Sequence, residues 1–481
     1  MAGRFTSKLL NAPIVFNFQD LILLPGLSRV EPSQIDLRTR FSTSIELNLP
    51  FVSSPMDTVT ESDMAIALAR QGGIGVIHRN CTAEEQVEMV KRVKRSESFI
   101  IRDVLTISPE MTVGDAYRYM KEHSISGLPV VDEDGRLLGI ITGRDVRFAD
   151  PSLKVYDAMT KDVITACEGI TPDEAIELMR KHKIEKLPVI NEKGRLTGLI
   201  TYKDVALRKM YPNAVRDEQG RLRVAAAVSP FDLDRARKLA KYADALVIDV
   251  AHFHNANVIK ATKRIVREVG VDIIIGNLGT REGVLDSVST IDEVAGLRVG
   301  IGSGSVCTTT QVTKAGAPTL FAVAQAADAL AELGADIPII ADGGIKGPGD
   351  IALALALGAS SAMMGYVFAA CKESPSPMTI IRGTYYKLHR GMGSPEARRK
   401  RMALDRYSQP AKGIPEGTEM WVPYKGEVAS VVEELAAGLK AAMGYAGASN
   451  IREMWEKAKV AWALKFSEGP LSPGQKGEIK G

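Results

Sequence analysis

The sequence predicts an α/β fold, a (β/α)8 TIM barrel interrupted once by a duplicated module, and three observations carry this expectation. Eight short apolar runs alternate with helix-like sequence. One stretch between the second and third runs repeats itself at a fixed offset. Glycines and polar residues collect just after the runs, where a barrel of this kind keeps its chemistry. The chain has 481 residues, enough for roughly three domains of about 150 residues, or for one barrel and a smaller unit.

The runs are Phe51–Ser53, Ile74–Ile77, Val224–Val228, Ala245–Ile248, Ile273–Ile275, Leu297–Val299, Ile339–Ala341 and Ala362–Met364. Several are dense in Ile and Val without polar alternation, as strands buried on both faces are. The barrel is expected over 1–96 and 208–481, with the repeat over 97–207 inserted after the second strand, because exposed connections tolerate insertions. Ile351 to Cys371 carries no charge and has the length of a membrane span. It also contains Gly358, Ser360, Ser361 and Gly365, and it follows the turn Gly347-Pro348-Gly349. A buried helix over Ile351–Leu357 and a buried strand over Ala362–Met364 fit it better.

Composition excludes several classes. Apolar residues make up 45% of the chain, charged residues 25% and aromatic residues 6%, which is not the balance of a disordered, collagen-like or disulfide-scaffold chain. Lys+Arg is 61 against Asp+Glu 58, a net charge of +3. That balance makes no electrostatic case for nucleic acid or an anionic membrane. Cys81, Cys167, Cys307 and Cys371 form no CxxC pair, and the histidines show no metal spacing beyond His252 and His254. A cytoplasmic chain with reduced thiols is expected. The first residues lack the apolar stretch of a signal peptide.

The repeat has a constant offset. Leu128-Pro129-Val130 recurs as Leu187-Pro188-Val189, Gly135–Gly139 as Gly194–Gly198, and Thr142 and Asp145 as Thr201 and Asp204. Each copy reads as an amphipathic helix (Val113–His123, Pro172–His182), a strand, a glycine hairpin, a second strand and a closing helix. Two copies, about 97–150 and 155–207, suit paired packing rather than a solenoid. The pattern resembles a tandem pair of CBS domains, a Bateman module. That resemblance implies an adenine or guanine nucleotide in the cleft between copies, with Asp145 and Asp204 on ribose hydroxyls. Read from the residues alone, both aspartates are equally helix caps.

The strand ends of the flanking barrel present Ser54 and Met56, His78, Asp249, Asn277, the segment Gly300–Thr309, Asp342-Gly343-Gly344 and Gly365. Glycines after strands seven and eight are where such barrels hold phosphate on backbone N–H groups. With Gly302, Gly304 and Ser305 after strand six, they point to a phosphorylated substrate. Cys307 follows that Gly/Ser run, where amides can stabilise a thiolate nucleophile. Cys81, Cys167 and Cys371 read as small buried hydrophobes. His252 and His254 could pair on a metal, but no third ligand is evident, so orienting roles are expected.

Several stretches together resemble the IMP dehydrogenase / GMP reductase family over nearly the whole chain. They are Val52–Glu61, Gly300–Thr308, Ile340–Gly344, Arg390–Ser394, Asp405-Arg406-Tyr407, Pro415-Glu416-Gly417, Val422–Gly426 and Met443-Gly444-Tyr445. The resemblance implies oxidation of IMP to XMP with NAD, in which the Cys307 thiolate adds to C2 of the hypoxanthine and water hydrolyses the resulting thioimidate. It places Asp342 and Gly343 at the ribose and Ser54, Ser305, Gly344, Gly365, Tyr366 and His389 near the phosphate. Met56, Gly391, Met392, Gly393 and Glu416 fall around the base. Asp249, Asn277, Gly300 and Gly302 fall beside the nicotinamide ribose. Carbonyls of Gly302, Gly304 and Cys307 match a potassium site, and a homotetramer or octamer is implied. The polar segment 395–421 matches a mobile flap. Within it, Arg406 and Tyr407 match a water-activating dyad, with Thr309 and Glu416 as a second proton route, since an arginine is a poor base by its pKa.

The sequence also departs from the family. His389 stands at a position usually held by a phosphate-binding tyrosine, and Val250–Phe253 replaces the usual small polar residues and glycine. The span from Tyr407 to Glu416 is short, and Pro395-Glu396 replaces Leu-Gly. The last two features, with Glu396 near a functional glutamate of GMP reductases, favour a reductase. Arg406-Tyr407 and Met443-Gly444-Tyr445 favour a dehydrogenase. A nucleotide-sensing protein with a degenerate barrel is the reading from a different class, and the intact Cys307 loop argues against it.

Overall fold

Alternation of buried apolar residues builds a closed barrel of eight parallel strands. The computed structural model describes residues 4–97, 99–102, 104–123, 125–399 and 415–463, without the side chains of Lys203 and Asp204. The strands are β1 (Phe51–Ser53), β2 (Ile74–Ile77), β3 (Ala225–Val228), β4 (Ala245–Ile248), β5 (Asp272–Leu278), β6 (Gly296–Val299), β7 (Ile339–Asp342) and β8 (Ser361–Met364). They pair in sequential order, and β8 returns to β1 through Ala362 opposite Phe51 and Met364 opposite Ser53. The eight runs read from the sequence are these strands, with ends moved by one residue in most cases and by three at Leu278.

Every second residue of a barrel strand points inward. Val52, Val76, Ala225, Val247, Ile274, Ile340 and Met363 therefore share one buried cluster, closed at the N-terminal end by Phe41, Ile45 and Leu47. Two residues further along the same inward phase come Asp249 after Val247, Arg298 after Gly296 and Asp342 after Ile340. A polar layer thus lies directly on an apolar plug, at the strand ends where such barrels place function.

Helices follow the strands and cover them: α1 (Ser62–Gln71), α2 (Ala83–Ser96), α3 (Leu233–Ala240), α4 (Ala256–Glu268), α5 (Arg281–Thr290), α6 (Thr319–Leu333), α7 (Pro348–Ala356) and α8 (Val428–Ala446). Helix α8 lies between α7 and α1 and completes the ring. The uncharged stretch from Ile351 runs through the end of α7, β8 and a short helix, Tyr366–Ala369. Helix α7 starts at Pro348 rather than Ile351, because Pro348 occupies its first turn and Asp350 caps the backbone of Lys346 and Gly347. Among the described residues no helix is long and apolar enough to cross a membrane. A three-stranded antiparallel sheet, β9 (Met378–Ile381), β10 (Thr384–Arg390) and β11 (Glu419–Pro423), follows β8.

The second compact unit comprises Lys94–Pro212 and Arg216–Leu222. Its elements recur in pairs: Val113–Glu122 and Pro172–His182, Gly127–Val131 and Lys186–Ile190, Leu137–Thr142 and Leu196–Thr201, Gly143–Phe148 and Tyr202–Met210. Each element of the second copy starts 59 residues after its counterpart in the first. The copies keep separate apolar cores, one around Leu128 and Ile141, the other around Leu187 and Ile200. Their lead-in segments cross over: Ile101 bridges Leu199 of the second copy, and Thr160 bridges Ile140 of the first. Asp145 Oδ2 accepts from the backbone N–H and the hydroxyl of Thr142, both at 2.7 Å, and so caps its helix. The side chain of Asp204 lies outside the described residues.

Candidate active site

A pocket of the barrel unit opens at the C-terminal strand ends, where barrels of this kind bind small molecules. Its walls hold nearly every residue singled out above. Ser54 and Met56 follow β1, Asn277 ends β5, Gly300 to Cys307 follow β6, Asp342, Gly343 and Gly344 end β7, and Gly365 and Tyr366 follow β8. His389, Gly391, Met392 and Gly393 come from the end of β10 and the turn after it, and Thr309 and Glu416 complete the enclosure.

Backbone pairing builds the roof. Cys307 bridges Gly417, Thr418 N–H donates to Val306 O at 3.0 Å, and Thr308 N–H to Glu416 O at 3.2 Å. Glu416 N–H in turn donates to Gly393 O at 3.2 Å, and Gly391 N–H to Thr418 O at 2.9 Å. The Cys307 loop, the 391–394 turn and the 415–418 segment are thereby one layer. The turn is anchored to the barrel by Arg390, whose Nη2 donates to the buried Asp57 carboxylate at 2.6 Å.

Within this enclosure Cys307 Sγ donates to Thr309 Oγ1 at 3.3 Å, and Thr309 Oγ1 donates to Glu416 Oε2 at 3.0 Å. This line of three groups can carry a thiol proton to a carboxylate. Glu396, on the short helix Pro395–Arg399, is not on the pocket wall.

Asp342 is held from one side only. Its Oδ2 accepts from Arg298 Nε and Nη2, each at 2.9 Å, and from Asn277 Nδ2 at 2.8 Å. Its Oδ1 accepts nothing among the described residues and faces the pocket. Arg298, which the sequence reading missed, is the buried centre of this layer, because its Nη1 also donates to Asp249 Oδ1 at 2.8 Å. Burial opposes the Arg298 charge, but the carboxylates of Asp342 and Asp249 outweigh it and hold its pKa above the ordinary value. Gly276 makes room: a Cβ there would lie 2.5 Å from the Arg298 carbonyl oxygen. Gly300 does the same at the next turn, with φ at +117° and a Cβ position 2.3 Å from Asp342 O.

One expectation, that of the buried cysteines, is corrected, and other residues are placed. Asp249 is fully buried; its Oδ1 accepts from Arg298 Nη1, and Arg79 Nη2 donates to its carbonyl at 3.0 Å. Cys167 is exposed at a strand edge and Cys81 is half-buried, so only Cys371 fits the reading as a buried hydrophobe. His254 Nε2 pairs with Asp286 at 2.8 Å, and burial, then the neighbouring His254, hold the pKa of His252 below the ordinary value. No metal cluster of His, Cys, Asp and Glu is present among the described residues. Arg406 and Tyr407 lie outside the described residues.

Two details bear on ligands. Asn277 Oδ1 is buried without a partner at the edge of the pocket, which suits a hydroxyl donor. The carbonyls of Gly302 and Cys307 meet no backbone donor among the described residues, while that of Gly304 accepts Cys307 N–H at 3.0 Å. Such a set of neutral oxygens suits a monovalent cation.

Comparison with known proteins places this geometry. The family model described as IMP dehydrogenase / GMP reductase domain matches residues 15–467. An inosine-5'-monophosphate dehydrogenase of Korarchaeum cryptofilum is 58% identical over 95% of this chain and 96% of its own. One from Methanocaldococcus jannaschii is 47% identical over 95% and 94%. A GMP reductase of Trypanosoma brucei, solved with guanosine 5'-monophosphate, has a TM-score of 0.85 and 34% identity, covering 96% of this chain and 99% of that one. With a family model matched over most of its length and relatives of high identity, the chain belongs to the IMP dehydrogenase / GMP reductase family.

Proposed function

We propose that this chain oxidises IMP to XMP with reduction of NAD, through a covalent bond between Cys307 and C2 of the purine. The observation that carries the reading is the line Cys307–Thr309–Glu416, set in one pocket with the open oxygen of Asp342. Asp342 Oδ1 accepts from the ribose hydroxyls, with Gly343 beside it, and the turn Gly391–Gly393 with Met56 brackets the base. The phosphate lies by Ser54, Ser305, Gly344, Gly365, Tyr366 and His389. Thr309 and Glu416 take the thiol proton as Sγ adds to C2. Loss of hydride from C2 leaves a thioimidate, and water then adds to C2 and expels the thiolate, releasing XMP. NAD supplies the hydride acceptor. Asn277, with its unpartnered Oδ1, the backbone of Gly300 and Gly302, and Asp249, paired with Arg298, would hold it.

Potassium is the cation we assign to the carbonyls of Gly302, Gly304 and Cys307. Arg406 and Tyr407, in a flap over 395–421, would activate the hydrolytic water. The 97–207 insertion is read as a tandem CBS pair, with a purine nucleotide at Asp145 and Asp204, in a homotetrameric or octameric cytoplasmic enzyme.

Relatives named as dehydrogenases at 47% and 58% identity support this reading, as does the absence of Glu396 from the pocket wall. The likeness to a GMP reductase structure favours the second, reduction of GMP by NADPH to IMP and ammonia. Following reduced nicotinamide separates them. A rise with IMP and NAD is expected, lost in Cys307→Ala. A fall with GMP and NADPH assigns the reductase, and neither signal leaves a nucleotide-sensing role.

A further inference from the structure

We propose that His389 takes up a proton when a nucleotide phosphate enters the pocket, so that substrate binding is coupled to protonation of this ring. The inference rests on the reading that the pocket takes a 5'-phosphorylated nucleotide. His389 is 2% exposed, yet it lines the pocket. Its Nδ1 is buried without a partner, and neither ring nitrogen makes a hydrogen bond among the described residues. A buried polar atom left unpaired is costly, so such a group usually has a purpose in its site. The ring edge faces Gly365, where a Cβ would lie 3.2 Å from Cε1 and 3.6 Å from Nε2. That glycine belongs to the strand-eight end where barrels of this kind bind phosphate. No hydrogen bond from the amides of Gly344 or Gly365 is found among the described residues, so both remain as donors at this end of the pocket.

The charge balance reverses when a dianion arrives. In the empty pocket burial alone pushes the His389 pKa down to about 4, so the ring is neutral at physiological pH. The neighbouring charges have other engagements. On its own strand, Lys387 Nζ donates to the carbonyls of Lys372 and Ser374, and Arg390 is paired with Asp57 and Glu419. Across the sheet His389 faces the uncharged Met420, and from the barrel side Tyr366 meets it edge-on at 6.4 Å between ring centres. Cys371 stays a thiol, its pKa pushed up to about 12, and Glu416 on the pocket wall is engaged by Thr309. A phosphate dianion against Nε2 adds the opposite charge this environment lacks and favours imidazolium.

The direction of the linkage follows. Binding raises the pKa, so one proton is taken up per complex between the second pKa of the phosphate, about 6, and the pKa of the bound state; below about pH 6 the phosphate gives up a proton as the ring gains one. Across that window the Kd for IMP rises about tenfold per pH unit, and it levels off above it. The test is calorimetric titration of the full-length protein with IMP at about pH 7.5, in buffers of different ionisation enthalpy. A nucleotide phosphate is then already dianionic, with its second pKa at about 6. Fractional uptake is expected, growing as the pH is lowered from about 7.5 toward 6.5, because an adjacent opposite charge raises a pKa by about 1–3 units, and none is expected with inosine, which lacks the phosphate. His389→Gln and His389→Tyr should still bind IMP with no uptake and a flat Kd over the same range. Wild-type binding without uptake, or uptake that persists in both variants, overturns the proposal. If IMP gives no binding at all while the protein is folded, the reading of the pocket itself fails.

Discussion

Replacing Arg298 by Met tests whether the buried polar layer orients the substrate or merely fills space. The guanidinium is 3% exposed and makes charge-assisted bonds to two carboxylates. Met has similar length and no donor. Removing one partner of a buried ion pair typically costs about 3–5 kcal/mol. Asp342 keeps Asn277 at 2.8 Å, and Asp249 keeps the neighbouring Arg79, so a stability loss near 3 kcal/mol is expected. Loss of the fixed direction of Asp342 Oδ1 weakens a charged hydrogen bond to substrate worth about 1.5–3 kcal/mol, or roughly 10–150-fold in the Kd for IMP. Cys307, Thr309 and Glu416 are not bonded to Arg298, so single-turnover adduct formation at saturating IMP should fall much less. The double variant Arg298→Met/Asp249→Leu also takes the carboxylate from beside the buried Arg79. It should recover neither stability nor affinity. Chemical denaturation and IMP titration without NAD read the two effects apart. An unchanged Kd for IMP in Arg298→Met, or full recovery of affinity in the double variant, would refute the argument.

Thiol chemistry gives a second check: with its pKa at about 12, Cys371 has only about 10⁻⁴ of its thiol ionised at pH 8. Mass spectrometry after alkylation of native protein should find Cys167 and Cys307 modified and Cys371 intact until denaturant is added. Deleting 97–207 through a short linker should leave an active barrel, because β2 and β3 are adjacent staves, with Val76 opposite Ala225; a folded but inactive product counts against this. Arg406→Ala should slow hydrolysis about 10²–10⁴-fold while leaving hydride transfer fast. Rapid mixing with IMP and NAD would then show a burst of reduced cofactor near one per site, and equal slowing of burst and steady state would exclude a role confined to water attack.

The barrel was legible because each strand is buried on both faces, which leaves a short apolar run that no surface element imitates. The repeat was legible because its offset never varies. Arg298 was not, since Leu297-Arg298-Val299 reads as a strand with one charged side chain facing water. Only closure of the sheet turns that side chain inward. Asp249 and Asp342 look alike in sequence, each ending an apolar run, and their difference lies in how the same guanidinium meets them. The contacts among Val306, Cys307, Glu416 and Gly417 are backbone contacts and leave no side-chain trace.

The crossed lead-ins of the duplicated unit bear on how it can be divided. Each copy has its own apolar core, so a single copy looks separable by that measure. Yet Ile101 completes the edge of the second copy and Thr160 completes the edge of the first. A fragment cut between copies would lose its border, exposing unpaired N–H and C=O groups, and with it Val155 and Met159 from the first core or the packing of Phe99 and Ile100 on the second. The nearest group able to satisfy that border is the same fragment in another molecule, so half a unit is a seed for exchange-type dimers. The duplication is in this sense a dimer already made within one chain, and its two halves can change only together.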